Sequence, residues 1–94
     1  MSKIEEFVKT LHVIKEAEVV ENTETKIVYD LKNSDNFLKM YTNLTELDLD
    51  LDGENVVMNE DEMIFNYLND DYDVNLEADY EKDKYILEIK VGEN

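Results

Sequence analysis

Alternating aspartates precede a glycine near the middle of the chain, at residues 48–53, which read Asp-Leu-Asp-Leu-Asp-Gly. This spacing matches the first half of a calcium-binding loop, in which alternate carboxylates supply oxygen ligands and the glycine permits a sharp turn. The second half departs from the pattern, because Asn59 takes the twelfth position, where a bidentate Glu is required. Alternating leucines also suit a strand with one buried face. We therefore expect no metal site, and a calcium-binding module remains an alternative.

The rest of the sequence is poor in groups that carry out catalysis. The chain has no Cys, its single imidazole is His12 between Leu11 and Val13, and its two glycines are Gly53 and Gly92. A thiolate nucleophile, a Cys/His metal site and a glycine-rich phosphate loop are thereby excluded. General acid/base catalysis by carboxylates needs a cleft that separates two pKa values, which exposed strand rows do not provide. We expect no catalytic residue, no cofactor and no enzyme activity, and a structural role for His12.

Composition indicates a folded and strongly acidic domain. The 94 residues include 25 Asp and Glu against nine Lys and no Arg, a formal net charge of −16, yet 43% of residues are apolar or aromatic. A chain of this length supports one hydrophobic core, so we expect residues 1–94 to form a single small α+β domain. The absence of Cys fits a reducing compartment, and the first twenty residues lack the apolar run of a signal peptide or membrane span. These features predict a cytoplasmic protein without membrane contact.

Hydrophobic spacing predicts the elements of the first half. Ser2 can cap an N-terminal helix over residues 3–18, where apolar side chains recur every three or four residues. Residues 25–31 suit a β-strand. Residues 37–44 fit a short helix, although a strand starting at Phe37 fits nearly as well.

The middle of the chain reads as a hairpin followed by a helix. Strict alternation over residues 47–51 predicts a strand with its leucines inward, and Asp52 with Gly53 forms a favoured two-residue turn into a partner strand at residues 56–58. Asn59 can then cap a helix that ends near Asn69.

The last twenty residues alternate apolar and polar side chains on both sides of a polar break at residues 81–83. This pattern predicts an antiparallel hairpin over residues 72–91. The fold expected is therefore an N-terminal helix, antiparallel hairpins and one or two short helices. The terminal hairpin should pack on the N-terminal helix through Val74, Leu76, Leu87 and Ile89.

The negative charge is confined to one region. Residues 40–81 contain fourteen acids and no Lys, whereas residues 1–39 carry a net −2 and residues 82–94 are neutral. Carboxylates on alternate strand positions stand ~6.6–6.8 Å apart, with neighbouring strands ~4.8 Å away, so they form rows that resemble a phosphate backbone. Solubility accounts for a high net charge but not for a gap of 42 residues without Lys. We expect these fourteen carboxylates to face solvent and to bind a basic partner: Glu46, Asp48, Asp50, Asp52, Glu54, Glu60, Asp61, Glu62, Asp70, Asp71, Asp73, Glu77, Asp79 and Glu81.

In size, acidity, absence of Cys and Pro, and carboxylates set on strands and a helix, the chain resembles small phage-encoded DNA-mimic inhibitors. That class includes anti-CRISPR and anti-restriction proteins and uracil-DNA glycosylase inhibitors. The resemblance implies an inhibitor that acts in the bacterial host cytoplasm and occupies the nucleic-acid site of a basic protein, such as a CRISPR effector or restriction enzyme. The charge argues against direct nucleic-acid binding. An acidic antitoxin, immunity protein or adaptor that covers a basic surface without copying DNA is the alternative.

Overall fold

Two helices and seven strands make up the fold, in a computed structural model that describes residues 3–11 and 14–92. The helices are α1 (Lys3–Val8) and α2 (Ser34–Thr45), and short 3-10 turns lie at Ile14–Glu16 and Gly53–Asn55. The strands are β1 (Glu18–Asn22), β2 (Lys26–Asp30), β3 (Asp50–Leu51), β4 (Val57–Met58), β5 (Glu62–Leu68), β6 (Tyr72–Asp79) and β7 (Lys84–Val91). They form one antiparallel sheet of order β1-β2-β7-β6-β5-β3, with β4 also paired to β5. The α+β class predicted from the sequence is confirmed.

The hairpin of β6 and β7 lies at the centre of the sheet. It pairs in unbroken register from Tyr72 opposite Val91 to Asp79 opposite Lys84. A four-residue loop closes it, and Asp83 there adopts a positive φ of 54°, which Asp tolerates better than most residues. Alternation buries one face of the hairpin, as the sequence predicts: its four central apolar residues are all fully buried, namely Val74, Leu76, Leu87 and Ile89.

The buried face extends into the neighbouring strands through direct cross-strand pairs. Tyr29 on β2 lies opposite Leu87, which lies opposite Leu76, which in turn lies opposite Phe65 on β5. All four side chains in this row belong to the core. Because β2, β5, β6 and β7 each contribute one buried set of side chains and one set that is half-buried or exposed, the sheet has a single core face.

Both helices cover that core face. Helix α1 packs against β7, and the ring of Phe7 lies 4.7 Å from that of Tyr72, whose hydroxyl donates to the Lys3 carbonyl at 2.8 Å. Helix α2 packs against β6 and β7, with Phe37 6.4 Å from the ring of Phe65. The predicted packing on the N-terminal helix is thus shared with α2. In the described part of the chain, neither helix is long or apolar enough to cross a bilayer.

Residues 37–44, whose sequence fits both a helix and a strand, lie within helix α2. Asn33 caps α2, with its side-chain oxygen accepting from the Asn36 amide at 2.8 Å. Asn36 itself is buried and donates to the Leu31 carbonyl at 2.7 Å. Capping and one buried side-chain hydrogen bond therefore fix where the helix starts.

The N-terminal helix is shorter than the predicted span of residues 3–18. It ends at Val8, where Thr10 bonds the Phe7 carbonyl through both its amide and its hydroxyl, at 2.9 and 2.6 Å. A hydroxyl bonded to a nearby carbonyl competes with the helical ladder, and the β-branched residues that follow favour extended structure. Near the end of the predicted span, Ile14–Glu16 form a 3-10 turn and Glu18 begins β1. The cap expected at Ser2 and the role expected of His12 lie outside the described residues.

The predicted helix from Asn59 to Asn69 is wrong. Asn59 does accept from two backbone amides, those of Asp61 and Glu62, at 2.8 and 2.9 Å. The turn leads into strand β5, which pairs with the whole length of β6. An Asn side chain that accepts from the amides two and three residues later can start either a helix or a turn. Here the pairing of β5 with β6 selects the turn.

The predicted hairpin of residues 47–58 is also wrong. Strand β3 is only two residues long, and both β3 and β4 pair with β5 rather than with each other. Gly53 has no positive φ, as a two-residue hairpin turn would require, and Asp52 instead caps the Gly53–Asn55 turn. Leu51, expected to point inward, is 48% exposed.

Truncation of a side chain in the core row tests this architecture. We expect Leu87→Ala to lower the free energy of unfolding by ~2–5 kcal/mol, because it leaves a cavity at the centre of the sheet. Leu38→Ala is the matched control, since Leu38 on α2 is 53% exposed. Urea denaturation followed by circular dichroism measures both, and equal losses in the two variants would contradict a core centred on β7.

Tyr67 is an exception within the core, because its buried hydroxyl has no hydrogen-bond partner among the described residues. The residue is only 2% exposed. Burial, with a smaller contribution from Tyr41, raises the pKa of Tyr67 to about 12. An unfolded Tyr ionises near pH ~10, so the folded state keeps a proton that the unfolded state has already lost between these values. Tyr67 therefore lowers stability as the pH rises through that window.

We expect Tyr67→Phe to raise the free energy of unfolding at pH 7 by about 1 kcal/mol, because the substitution removes an unsatisfied buried hydroxyl. Between pH 9 and pH 12 the variant should lose less stability than the wild type does. Urea denaturation at each pH gives both values. A variant that is less stable at pH 7 would mean that the hydroxyl has a bonding partner.

Candidate acidic interface

The fourteen acids of residues 46–81 all reach solvent, as the sequence predicts. Ten of them are exposed and four are half-buried, the latter being Asp52, Glu62, Glu77 and Asp79. Their role in binding stays a prediction. The structure divides them between two turns, one sheet face, the hairpin loop and the segment that joins α2 to β4.

The first acidic turn, at residues 59–62, presents Glu60 and Asp61 at its tip. Asn59 closes it by donating its own amide to the Glu62 carbonyl at 3.0 Å, in addition to accepting two amides on its side chain. The Asp61 carbonyl accepts from the amide of Tyr80 at 2.8 Å, which ties this turn to the end of β6. The tip is therefore held by backbone bonds at a fixed place beside the hairpin loop.

The second acidic turn, at residues 69–72, repeats the first. The side chain of Asn69 accepts from the amides of Asp71 and Tyr72, both at 2.8 Å, and its amide donates to the Tyr72 carbonyl at 3.0 Å. Two acids again occupy the tip, Asp70 and Asp71. The two turns lie at opposite ends of β5, whose seven residues span roughly 20 Å.

Carboxylates on the sheet face opposite the core lie between the two turns. Asp73, Glu77 and Asp79 alternate with buried residues along β6, and Glu62 lies directly opposite Asp79. We call the nine acids of the two turns, this face and the hairpin loop the acidic band: Glu60, Asp61, Glu62, Asp70, Asp71, Asp73, Glu77, Asp79 and Glu81.

Asparagine side chains orient two carboxylates of the acidic band. Asn66 donates to Asp73 at 2.7 Å and Asn75 donates to Glu77 at 3.1 Å. Asn66 and Asn75 lie opposite each other in the register of β5 and β6. A neutral amide satisfies a carboxylate oxygen without cancelling its charge, so the band keeps its negative potential where a lysine would reduce it.

One end of the acidic band surrounds a shallow cleft of about 480 Å³. Its lining combines the first turn with the end of β6 and the hairpin loop, namely Asn59, Glu60, Asp61, Glu62, Asp79 and Glu81. A cleft bordered by five carboxylates is suited to the cationic end of a Lys or Arg side chain.

Most lysine ion pairs between described residues lie away from the acidic band. Four of the five join acids outside it: Lys26–Glu21, Lys32–Glu18, Lys39–Asp35 and Lys90–Glu88. The fifth, Lys3 to Asp71 at 3.5 Å, reaches the band at its second turn. Hydrogen bonding to Glu21, Glu18 and Asp35, respectively, raises the pKa of Lys26, Lys32 and Lys39. Three lysines of the N-terminal half thus pair with acids of that half, and Lys3 offsets part of the charge of the band at Asp71.

The remaining five predicted acids do not join the band. The row expected of Asp48, Asp50 and Asp52 does not form, because of the three only Asp50 lies in a strand and Asp52 caps the turn that follows. Glu46 caps the C-terminal end of α2, and Glu54 lies in the Gly53–Asn55 turn. These side chains are accessible to a partner but are not arranged in a row.

Two of the side chains that a calcium loop would use, Asp52 and Asn59, already accept other hydrogen bonds. Asp52 accepts from the Glu54 amide at 3.2 Å, and Asn59 accepts from two amides of its own turn. Within residues 3–11 and 14–92, no three acidic or imidazole groups are close enough together to hold a metal ion.

The two asparagine turns and the amide support of the carboxylates were not foreseen from the sequence. A signal for the turns is present, since an Asn precedes the acids of each, as Asn-Glu-Asp-Glu and Asn-Asp-Asp-Tyr. The support by Asn66 and Asn75 depends on the register of β5 against β6, which no local pattern reveals.

Comparison with protein-family models, with curated proteins and with solved structures finds no match to this chain.

We expect calcium to bind only weakly and without fixed stoichiometry. Titration of the chain with calcium chloride in a calorimeter should give no one-to-one micromolar isotherm, and millimolar calcium should shift the melting temperature no more than magnesium does. A stoichiometric calcium isotherm that Asp50→Asn abolishes would contradict this and favour the metal-binding alternative.

Proposed function

We propose that the chain is an inhibitor that binds a basic nucleic-acid-handling protein, such as a CRISPR effector or restriction enzyme, and blocks its nucleic-acid site by charge mimicry. The observation that carries the proposal is the acidic band, which runs for roughly 20 Å along β5 and β6 and contains no lysine in its sequence. Phosphate-binding surfaces of proteins consist of Lys and Arg arranged along such a length.

The energetic cost of the acidic band supports a binding role. Glu62 and Asp79 lie directly opposite each other on the sheet, and like charges in that position destabilise by roughly 0.2–1 kcal/mol. A lysine at either position would turn repulsion into attraction. Solubility alone would be served equally well by acids dispersed over the surface.

The mechanism that follows is competitive occlusion. Carboxylates of the band contact the Lys and Arg that otherwise hold phosphates, so the inhibitor and the nucleic acid exclude each other. Each exposed ion pair contributes only ~0–1 kcal/mol, so many carboxylates must act together. Long-range attraction between a chain of charge −16 and a basic surface accelerates association, and salt slows it.

The first experiment identifies the target. The chain is immobilised, bacterial lysate is applied at low salt, and proteins eluted by a salt gradient are identified. We expect a nucleic-acid enzyme to elute, and the purified enzyme to lose nucleic-acid binding when the chain is added. A purified target that binds the chain and its nucleic acid at once would contradict mimicry and favour an acidic antitoxin, immunity protein or adaptor.

Charge reversal then tests the acidic band against that target. We expect Glu60→Lys, Asp61→Lys and Glu62→Lys together to weaken inhibition at least 30-fold, chiefly by slowing association. The matched control reverses Glu6, Glu16 and Glu24, which are exposed and lie outside the band. Each set changes the net charge from −16 to −10, because each reversal adds two charges. Equal inhibition by the two folded variants, measured as an inhibition constant at fixed salt, would exclude the band as the binding surface.

A further inference from the structure

The sheet has one face without helices, which we call the open face. Both helices contact the core face, so the alternate residues of β2, β5, β6 and β7 point to the other side. These residues are half-buried or exposed along the whole of the four strands. Five acids of β5, β6 and β7 belong to the open face: Glu62, Asp73, Glu77, Asp79 and Glu88.

Aliphatic side chains alternate with carboxylates across the open face. In one cross-strand row Ile64 on β5 lies opposite Glu77 on β6, which lies opposite Ile86 on β7, which lies opposite Asp30 on β2. Val57 on β4 extends the same row beyond Ile64. The two isoleucines are half-buried, and both helices pack on the other face of the sheet.

The row is continuous with the acidic cleft. The next row of the open face contains Glu62 and Asp79, which also line the cleft, and Lys84 closes that row at the start of β7. In the row on the other side, the carboxylate of Glu88 is paired with Lys90. The acids of this face are therefore concentrated on β5 and β6, which contain no lysine, while Lys84 and Lys90 lie on the neighbouring β7.

We propose that the open face is the docking surface for the basic partner, with Ile64 and Ile86 as apolar anchors and the surrounding carboxylates as the charged rim. This inference rests on the proposed function and specifies its partner further: a Lys- and Arg-rich protein surface with an apolar patch at its centre. Charge complementarity selects a cationic partner, because acids outnumber lysines over β5 and β6. Interfaces of this kind place buried aliphatic contacts at the centre and ion pairs around them.

The two parts of the surface act on different rate constants. Carboxylates attract the partner over a distance and determine the association rate and its salt dependence. Contacts of Ile64 and Ile86 form only after docking, so they determine how slowly the complex dissociates. A pure phosphate mimic would need no apolar centre, since the sugar-phosphate backbone offers none at its anionic edge.

Two synthetic peptides of equal charge test the inference without knowledge of the target. One alternates four Arg with four Leu, and the other alternates four Arg with four Ser. Each is titrated into the isotope-labelled full chain and followed by amide chemical shifts. We expect the Arg/Leu peptide to bind at least tenfold tighter, with its largest shifts at Ile64, Glu77 and Ile86.

The double variant Ile64→Thr and Ile86→Thr keeps β-branched side chains and should remove the preference for the Arg/Leu peptide. The control, Val19→Thr and Val20→Thr on the edge strand β1, changes two exposed valines and should keep it. Equal affinities of the wild type for the two peptides, binding by neither, or shifts confined to residues 46–61 or to β1 would overturn the inference. Because the wild-type shifts are site-resolved, they decide the matter even if the double variant fails to fold. Charge-dependent competition with nucleic acid that persists after such a result would leave the proposed function standing on charge alone.

Discussion

One-sided burial of the β6–β7 hairpin is the constraint on which the rest of this structure depends. A chain of 94 residues without disulfides has to gather its apolar side chains into one core, and the alternation in this hairpin assigns all of them except Ile86 to one face. Both helices pack on that face. The acids of the described residues are all exposed or half-buried, and they occupy the other face, the turns, the edges and exposed positions of the helices. The acidic band is thus a direct consequence of how the core is built.

The fold tolerates the repulsion inside the band by fixing its acids with neutral donors. Asn59 and Asn69 bond the backbone of the two acidic turns, while Asn66 and Asn75 donate to carboxylates on the strands. Lysine side chains could also donate hydrogen bonds to the carboxylates, and their positive charge would remove the repulsion. Their placement in the N-terminal half and after residue 81 separates the charge along the sequence into nearly neutral parts and a strongly negative part, and among the described strands only Lys84 and Lys90 of β7 lie directly opposite acids of β6. That separation, rather than the net charge, is what a basic partner can recognise.

The sequence predicts correctly those elements for which the local hydrophobic pattern and the tertiary packing favour the same secondary structure. The terminal hairpin was foreseen to within a residue or two because its alternation is long and one side is apolar. The sequence-based prediction was wrong at β5. Met63, Ile64, Tyr67 and Leu68 fit one face of a helix, but Phe65 is also buried and the whole strand pairs with β6. Asn59 begins a turn as readily as a helix, so the local signal could not decide. Exposure of the fourteen acids was predictable from their chemistry, whereas their division into a band and a separate segment depends on strand register.

The central claim is that like charges are concentrated and mutually repelling along β5 and β6. Urea denaturation of the wild type and of the two charge-reversal variants, over a series of sodium chloride concentrations, measures this most directly. The account predicts that salt raises the free energy of unfolding of the wild type, because it screens the repulsion. It also predicts that reversal of Glu60, Asp61 and Glu62, the last of which lies opposite Asp79, stabilises the chain at low salt and flattens its salt dependence more than reversal of Glu6, Glu16 and Glu24 does. Identical salt dependence in the two variants would contradict it, because the repulsion would then be spread evenly over the surface.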